Sequence, residues 1–376
     1  MKVLVTGANG FIGRNLCRRL TERADIEVVS FTSEDAIQVL PERLLGIDFV
    51  VHLAGANRPS DPSDFMVSNH ALTELLCDAV ARESRATGRK IPILFASSIQ
   101  AERNDSPYAQ SKRAAEQVLL AASEEHAIPV HIFRLPNVFG KWCRPNYNSV
   151  VATFCWNIAR GLPIDIRDPN APLTLVYIDD VVERFIQLLD GSPAAVDANA
   201  FELIGPQYQT TVGRLADHIR EFRESRTTLT APQVGTGFLR GLNATYLSYL
   251  PEEDFAYPLK EYADARGKFV EVLKTPENGQ FSYFTAVPGV TRGGHYHHTK
   301  AEKFLVLKGR ARFRLRHILD GREREVVTSG EQSQIVEIVP GWAHDITNIG
   351  TDELIVMLWA NEVFDPQRPD TYSHAT

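Results

Sequence analysis

The hydrophobic pattern of this 376-residue chain changes period part-way along, and one layered core cannot serve both patterns. Up to about residue 240, apolar runs alternate with stretches of helical composition. The runs are Val3 to Val5, Glu27 to Ser30, Phe49 to Leu53, Ile93 to Ala96 and Val130 to Arg134. Such alternation predicts a doubly wound parallel α/β sheet. After Arg266 the pattern becomes short strands with turn signals, among them Phe269 to Lys274, Gln280 to Val287, Lys303 to Leu307, Ala311 to His317 and Leu354 to Trp359. These predict an antiparallel sandwich or small barrel. The length also exceeds what one core usually serves. We therefore expect an α/β domain over 1–242 whose substrate lobe starts near Asn137, with helices at Asp180 to Leu189 and Val212 to Phe222. A linker over 243–265, marked by Pro251, Pro258 and mixed charge, then leads to an all-β domain over 266–376.

A net charge of −7 gives no basic field for nucleic acid or anionic lipid, so neither is expected as a partner. No apolar run reaches the roughly 18 residues of a membrane span, and no leader-like segment precedes the strand at Lys2, so the cytoplasm is the expected location. Cys17, Cys77, Cys143 and Cys155 show no CxxC spacing. They read as buried small apolar side chains rather than a disulfide framework or thiolate site.

The first chemical signature follows the first strand. Gly7, Gly10 and Gly13, with Asn9, Phe11 and Ile12 between them, stand at a strand-to-helix turn, where backbone can approach a pyrophosphate and a helix N-terminus meets its charge. Leu53-Ala54-Gly55 ends a later strand beside it, and Thr32 and Leu135 close two others. The second strand ends Val28-Val29-Ser30-Phe31-Thr32-Ser33 without the acid that takes a ribose 2′-hydroxyl. Arg14 could meet a 2′-phosphate, so NADPH is expected over NADH.

Tyr108 and Lys112 lie four apart on one helical face, the spacing in which an ammonium lowers a phenol pKa and the tyrosine exchanges a proton with a carbonyl oxygen. Ser97 and Ser98 end a strand just upstream. Over roughly residues 1–240 the chain resembles the extended short-chain dehydrogenase/reductase family, with Arg134-Leu-Pro-Asn137-Val-Phe-Gly140 and Tyr177-Ile-Asp179-Asp180-Val181 as further landmarks. The resemblance implies a Ser98, Tyr108, Lys112 triad, cofactor contacts from Tyr108 and Lys112, and Asn137 and Arg58 near the substrate. Only nine residues separate Ser98 from Tyr108, which leaves Ser97 or Ser98 as the productive hydroxyl. Relatives that dehydrate sugars carry Asp-Glu after that hydroxyl residue, whereas this chain has Ile99-Gln100. Reduction or epimerisation is expected instead.

The second signature is Gly289, His295, His297, Glu302 and Gly309, followed by Pro340-Gly341, His344 and Asn348. His295 and His297 share a strand face, so three imidazoles and a carboxylate can converge on a divalent ion, zinc first, with nickel, iron and manganese also compatible. His298 would point away from His297, toward the surface or a substrate. His317 and His374 have no sequence partner and read as surface residues. Tyr283, Tyr296, Phe304, Trp342 and Trp359 read chiefly as core. Over about 266–366 the segment resembles the cupin family, which also contains metal-free sugar-binding members.

A reductase fused to a cupin resembles the bifunctional capsule and O-antigen enzymes of UDP-N-acetyl-L-fucosamine synthesis. The resemblance implies a UDP-4-keto-6-deoxy-N-acetylhexosamine substrate, C3 epimerisation in the cupin, and NADPH reduction at C4 to UDP-2-acetamido-2,6-dideoxy-L-talose. Homodimers are common in both resembled families. An NAD-retaining sugar-nucleotide 4-epimerase, a non-enzymatic NADPH and sugar sensor, and a cupin dioxygenase are the alternatives.

Overall fold

The computed structural model describes residues 1–58, 61, 64–103, 105–193 and 195–376. Its chain divides into two compact units, the first made of 1–220 and 234–251, the second of 221–233 and 252–376. In the first unit the order is β1 (Lys2–Thr6), α1 (Phe11–Thr21), β2 (Glu27–Phe31), α2 (Leu40–Arg43), β3 (Phe49–His52), α3 (Leu72–Thr87), β4 (Ile93–Ser98), α4 (Pro107–His126) and β5 (Val130–Leu135). These five strands form one parallel sheet in the order β2-β1-β3-β4-β5. Each expected strand is present. Strands β1, β3 and β4 are buried on both faces because helices cover both sides, so their sequences read as apolar runs. Val3, Val5, Leu16 and Leu20 pack in one core layer, and Leu4, Val50, Phe95 and Leu119 in another. The strand order reverses between β1 and β3, and ligands of such sheets bind at the carboxyl ends of the strands at that point.

The chain continues through β6 (Asn137–Phe139), α5 (Val150–Ala159), β7 (Pro172–Tyr177), α6 (Ile178–Leu189), β8 (Gln207–Thr211), α7 (Val212–Thr228) and α8 (Gly237–Leu247). Strands β6, β7 and β8 form a small mixed sheet. The sequence reading found α6 and α7 but neither α5 nor α8. Cys77 and Cys155 are buried, Cys17 and Cys143 half-buried, and all four are free thiols.

The second unit contains β9 (Glu261–Asp264), β10 (Gly267–Thr275), β11 (Gly279–Ala286), β12 (Thr291–Tyr296), β13 (Glu302–Lys308), β14 (Arg310–His317), β15 (Glu323–Ser329), β16 (Ile335–Ile338), β17 (Trp342–Asn348), β18 (Leu354–Ala360) and β19 (Tyr372–Ser373). Two antiparallel sheets result, β16-β13-β18-β11-β10-β9 and β15-β14-β17-β12-β19. Phe284, Phe304 and Val356 of the first sheet and Phe313, Leu315 and Ile346 of the second share one core.

The segment expected as a linker carries more structure than its composition suggested. Residues 243–247 finish α8, and 261–264 form β9 by pairing with β10. Residues 221–233 belong to the second unit because Ala231 N donates to Lys274 O (2.8 Å) and Lys274 N to Leu229 O (2.7 Å). Among the described residues no helix is long and apolar enough to cross a membrane.

Candidate active site and metal centre

At the end of β1 the backbone enters α1 through Gly7, whose φ is +69°. A Cβ there would lie 2.7 Å from Ala54 N, so the turn after β1 presses directly on the loop after β3. A Cβ at Gly13 would lie 2.2 Å from Gly7 O, which is why α1 can pack against the same turn. Gly10 caps α1 without a side-chain bond, and no acid stands in the first turn, leaving the N-terminal amides suited to an anion. Arg14 is exposed and its Nε donates to Asn9 O at 2.8 Å. Phe11 and Ile12 pack toward the core beneath.

One expectation at this edge is corrected. The end of β2 does carry a carboxylate, because Asp35 folds back onto Thr32. Its Oδ2 accepts from Thr32 N (2.8 Å) and from the Thr32 hydroxyl (3.0 Å), while Arg43 donates to Oδ1 (3.1 Å). The Thr32 amide, the Thr32 hydroxyl and then Arg43 lower the Asp35 pKa. The acid is therefore present but already engaged.

Leu53 N and Ala54 N both donate to Thr6 Oγ1 at 3.2 Å, fixing the loop after β3. A Cβ at Gly55 would lie 2.3 Å from Asn69 Oδ1 and 3.5 Å from Lys112 Nζ. Lys112 is buried, and its Nζ donates to Ala96 O (2.9 Å) and lies 4.7 Å from the Phe95 ring centroid. Burial lowers its pKa to about 8, with Glu116 opposing the shift. Leu135 is buried at the end of β5, in register with Ser98.

Helix α4 begins at a Ser106 cap that accepts from Ala109 N (3.2 Å), with Pro107 in its first turn. Tyr108 and Lys112 thus stand one turn apart. The Ser98 hydroxyl accepts from Gln100 N (3.2 Å) and acts on the Tyr108 phenol by lowering its pKa. The Ser97 hydroxyl instead donates to Glu116, which also holds Arg134 Nε (3.0 Å) and Nη2 (2.7 Å). The expected depression of the phenol by Lys112 is corrected too: burial raises the Tyr108 pKa above its ordinary 10, with Ser98 opposing. Sequence reading missed Asn69, which donates to Ala56 O (3.1 Å) and Ser111 Oγ (2.9 Å), and Glu116, one further turn along the Tyr108 and Lys112 face. Asn137 is exposed at the start of β6. Arg58 is exposed as well and donates to Tyr147 O, while Tyr147 Oη donates to Arg58 O at 3.3 Å.

In the second unit, His295 of β12 is the cross-strand partner of His344 on β17, and Glu302 opens β13 of the other sheet. His297 follows β12 directly. One donor atom from each of these four lies within 4.8 Å of every other. Ligands each about 2.0–2.2 Å from one ion lie at most about 4.4 Å apart, so a small inward shift of these side chains would bring all four onto one cation. Glu302 Oε2 lies 3.3 Å from His297 Nε2 and 3.4 Å from His344 Nε2. Burial pushes Glu302 up, yet the two histidines hold it well below the usual carboxylate range. Burial, then His344 and His297, lower His295 to about 4. Three imidazoles converging on a carboxylate held in its ionised form have the donor chemistry of a divalent-cation site. His344 Nδ1 is buried with no partner among the described residues.

The neighbouring residues divide as follows. His298 is exposed, packed edge-on against Tyr296 (5.3 Å) and Tyr372 (4.8 Å). His317 has a partner the sequence did not suggest, Asp320 at 2.8 Å. His374 lies edge-on to Tyr296 at 6.0 Å. Phe304 is core, Trp342 packs against it, and Trp359 Nε1 donates to Asn278 O at 2.8 Å. Asn348 Nδ2 donates to Ala286 O (2.9 Å) and Asp352 O (2.8 Å), tying strand ends together.

The chain belongs to the NAD dependent epimerase/dehydratase family, whose model matches residues 3–203, and it carries a polysaccharide biosynthesis C-terminal domain over residues 262–372. It is 59% identical over 374 residues to the UDP-2-acetamido-2,6-beta-L-arabino-hexul-4-ose reductase of Pseudomonas aeruginosa, covering 99% of this chain and 98% of that one. The crystal structure of the capsular polysaccharide assembling protein CapF from Staphylococcus aureus superposes with a TM-score of 0.92 at 41% identity, over 100% of both chains. A UDP-glucuronic acid 4-epimerase from Bacillus cereus, solved with UDP-glucuronic acid and NAD, shares the fold at 19% identity and a TM-score of 0.54, over 66% of this chain and 99% of that one. This chain is accordingly a nicotinamide-dependent enzyme of the oxidoreductase and epimerase kind.

Proposed function

We propose that the enzyme epimerises C3 of a UDP-4-keto-6-deoxy-N-acetylhexosamine and then reduces C4 with NADPH, giving UDP-2-acetamido-2,6-dideoxy-L-talose. The observation that carries this reading is the full-length 59% identity with a reductase of UDP-2-acetamido-2,6-beta-L-arabino-hexul-4-ose. Functionally the chain divides into a reductase over 1–242, a connection over 243–265 and a cupin over 266–376. It works as a cytoplasmic homodimer on soluble pools of NADPH and nucleotide sugar.

In the reductase, NADPH supplies the hydride to C4. Gly7, Asn9, Gly10, Phe11, Ile12, Gly13 and Arg14 hold its pyrophosphate end, and Thr32, Leu53, Ala54, Gly55 and Leu135 line the rest. Asp35 is engaged by Thr32 and Arg43, and Arg14 adds positive charge at this edge, which supports NADPH over NADH. Lys112 has further N–H donors beyond the one given to Ala96 O and can take the nicotinamide ribose. Tyr108 delivers the proton to the C4 oxygen, and Ser98, which acts on the Tyr108 phenol, orients that oxygen. Ser97 is engaged by Glu116, so Ser98 is the productive hydroxyl. Asn137 and Arg58 stand on the substrate side.

In the cupin, His295, His297, Glu302 and His344 hold a divalent cation, zinc by donor type. Such a cation when bound polarises an oxygen or stiffens the barrel. The C3 proton is acidic only while C4 is a ketone, because the resulting anion is an enolate. Epimerisation must therefore precede reduction, and reduction by the Tyr108 site traps the new configuration. The test is NADPH consumption with the 4-keto sugar supplied by a UDP-N-acetylglucosamine 4,6-dehydratase that also inverts C5. Stoichiometric oxidation, with NADPH preferred to NADH, is expected. Turnover without net NADPH loss would establish the NAD-retaining epimerase instead, and no turnover would sink the substrate class.

A further inference from the structure

Beside the four-residue cluster the second unit contains a hydrogen-bonded arrangement that comes from far along the chain. Asp370 carries its side chain and its backbone to the loop that follows His297. Its Oδ1 accepts from His298 N (3.0 Å), and its Oδ2 accepts from Thr299 N (2.9 Å), Thr299 Oγ1 (3.0 Å) and Lys300 N (2.8 Å). Its carbonyl oxygen lies 2.6 Å from His297 Nδ1. Lys300, itself buried, donates from Nζ to Pro369 O (3.1 Å) and Thr371 Oγ1 (2.9 Å). The next residues form β19, pairing Ser373 with His295 and Tyr372 with Tyr296, and His374 N donates to Gly294 O (3.0 Å).

A carbonyl oxygen can only accept, so the imidazole of His297 must carry a proton on Nδ1. That leaves Nε2 as the ring atom facing the cluster, where Glu302 lies 3.3 Å away and where a bound cation would take its lone pair. Ligating histidines are commonly fixed in this manner through their second nitrogen, and loss of such a partner weakens metal affinity about 10–100-fold. His344 has no such partner on Nδ1 among the described residues, so the orientation of His297 matters more to the set. Asp370 also has a φ of +39°, a conformation that aspartate and asparagine tolerate better than most residues.

We propose that Asp370 is a positioning residue of the cation site, its carboxylate tying down the 298–300 loop and its carbonyl fixing the tautomer of His297. This rests on the reading of His295, His297, Glu302 and His344 as cation ligands and goes beyond it by assigning the device that presents one of them.

The experiment uses the full chain, stripped and reloaded with Co2+, with affinity measured by competition against a chromophoric chelator and the visible spectrum recorded. Asp370→Asn keeps shape and backbone preference but replaces one of the two acceptor oxygens with an NH2 that cannot accept from the 298–300 donors. It is expected to weaken Co2+ binding about 10–100-fold and alter the spectrum, with near-ultraviolet circular dichroism unchanged. Asp370→Ala is expected to act in the same direction. Tyr372→Ala, which loosens β19 while leaving Asp370 and its donors in place, is expected to retain the affinity of the parent. Parent-like affinity in Asp370→Asn overturns the inference, as does equal weakening in Tyr372→Ala. A parent chain that takes up no Co2+ at a site sensitive to His344→Ala overturns the cation reading and the inference together.

Discussion

Ser97 and Ser98 are adjacent at the end of β4, yet one hydroxyl donates to Glu116 and the other meets Tyr108. Successive side chains of a strand point to opposite faces, and here the faces separate a buried ion network from the Tyr108 phenol. Replacing Ser98 with alanine should lower kcat for C4 reduction at least about tenfold through lost orientation. Replacing Ser97 with alanine should leave kcat near its starting value and cost about 1 kcal/mol of stability in a denaturant melt, the worth of one hydrogen bond. Tyr108→Phe should reduce turnover by roughly 10²–10⁴ while NADPH still binds, as nicotinamide fluorescence would report. Lys112 gives the pH prediction. Burial brings its pKa down to about 8, so the ammonium is present below that pH and lost above it. The profile of kcat/KM, which reports the free enzyme, should therefore fall as pH rises through about 8.

At the scale of elements, α4 presents Tyr108, Lys112 and Glu116 at successive turns of one face. Glu116 opposes the burial that depresses Lys112. Glu116→Gln should shift the alkaline limb of the kcat/KM profile to lower pH, and an unmoved limb would show that Lys112 does not set it. The glycine turn gives a second element-scale prediction. Gly13→Ala brings a Cβ to within 2.2 Å of Gly7 O. It should cost about 1–3 kcal/mol of overpacking and weaken NADPH binding, measured by thermal melt and titration. The turn, the YxxxK helix and the histidine strand were legible in the sequence because each is local: a fixed spacing on one strand or helix determines it. The bond between Asp35 and Thr32 was not read because a three-residue fold-back, not strand position, brings the downstream acid to the strand end. Glu116 with Ser97 and Asp370 with His297 were not read at all, since they join residues 19 and 73 apart through tertiary packing that leaves no periodic trace. Helices α5 and α8 escaped for a related reason: their apolar, mixed sequences resemble buried strands and loops as much as helices.

For the whole molecule, the change of hydrophobic period between about residue 240 and Arg266 corresponds to two units of different architecture, the first built on a parallel sheet and the second on a pair of antiparallel sheets. Their boundaries are interleaved rather than sequential, because 221–233 joins the second unit by pairing with β10, a long-range contact that composition cannot report. On the proposed function each unit carries one step, and the chemistry orders them: exchange at C3 needs the ketone that reduction removes. His344→Ala should therefore abolish C3 exchange, and Tyr108→Phe should abolish reduction while leaving exchange intact. The most direct measurement is the reaction of the full chain in D2O with NADPH and the UDP-4-keto-6-deoxy-N-acetylhexosamine, read by proton NMR. The account predicts NADPH oxidation with deuterium fixed at C3 of the product, and deuterium at C3 of unreduced ketone in Tyr108→Phe. Oxidation with the C3 proton retained would contradict it, leaving a reductase whose all-β unit takes no part in the chemistry.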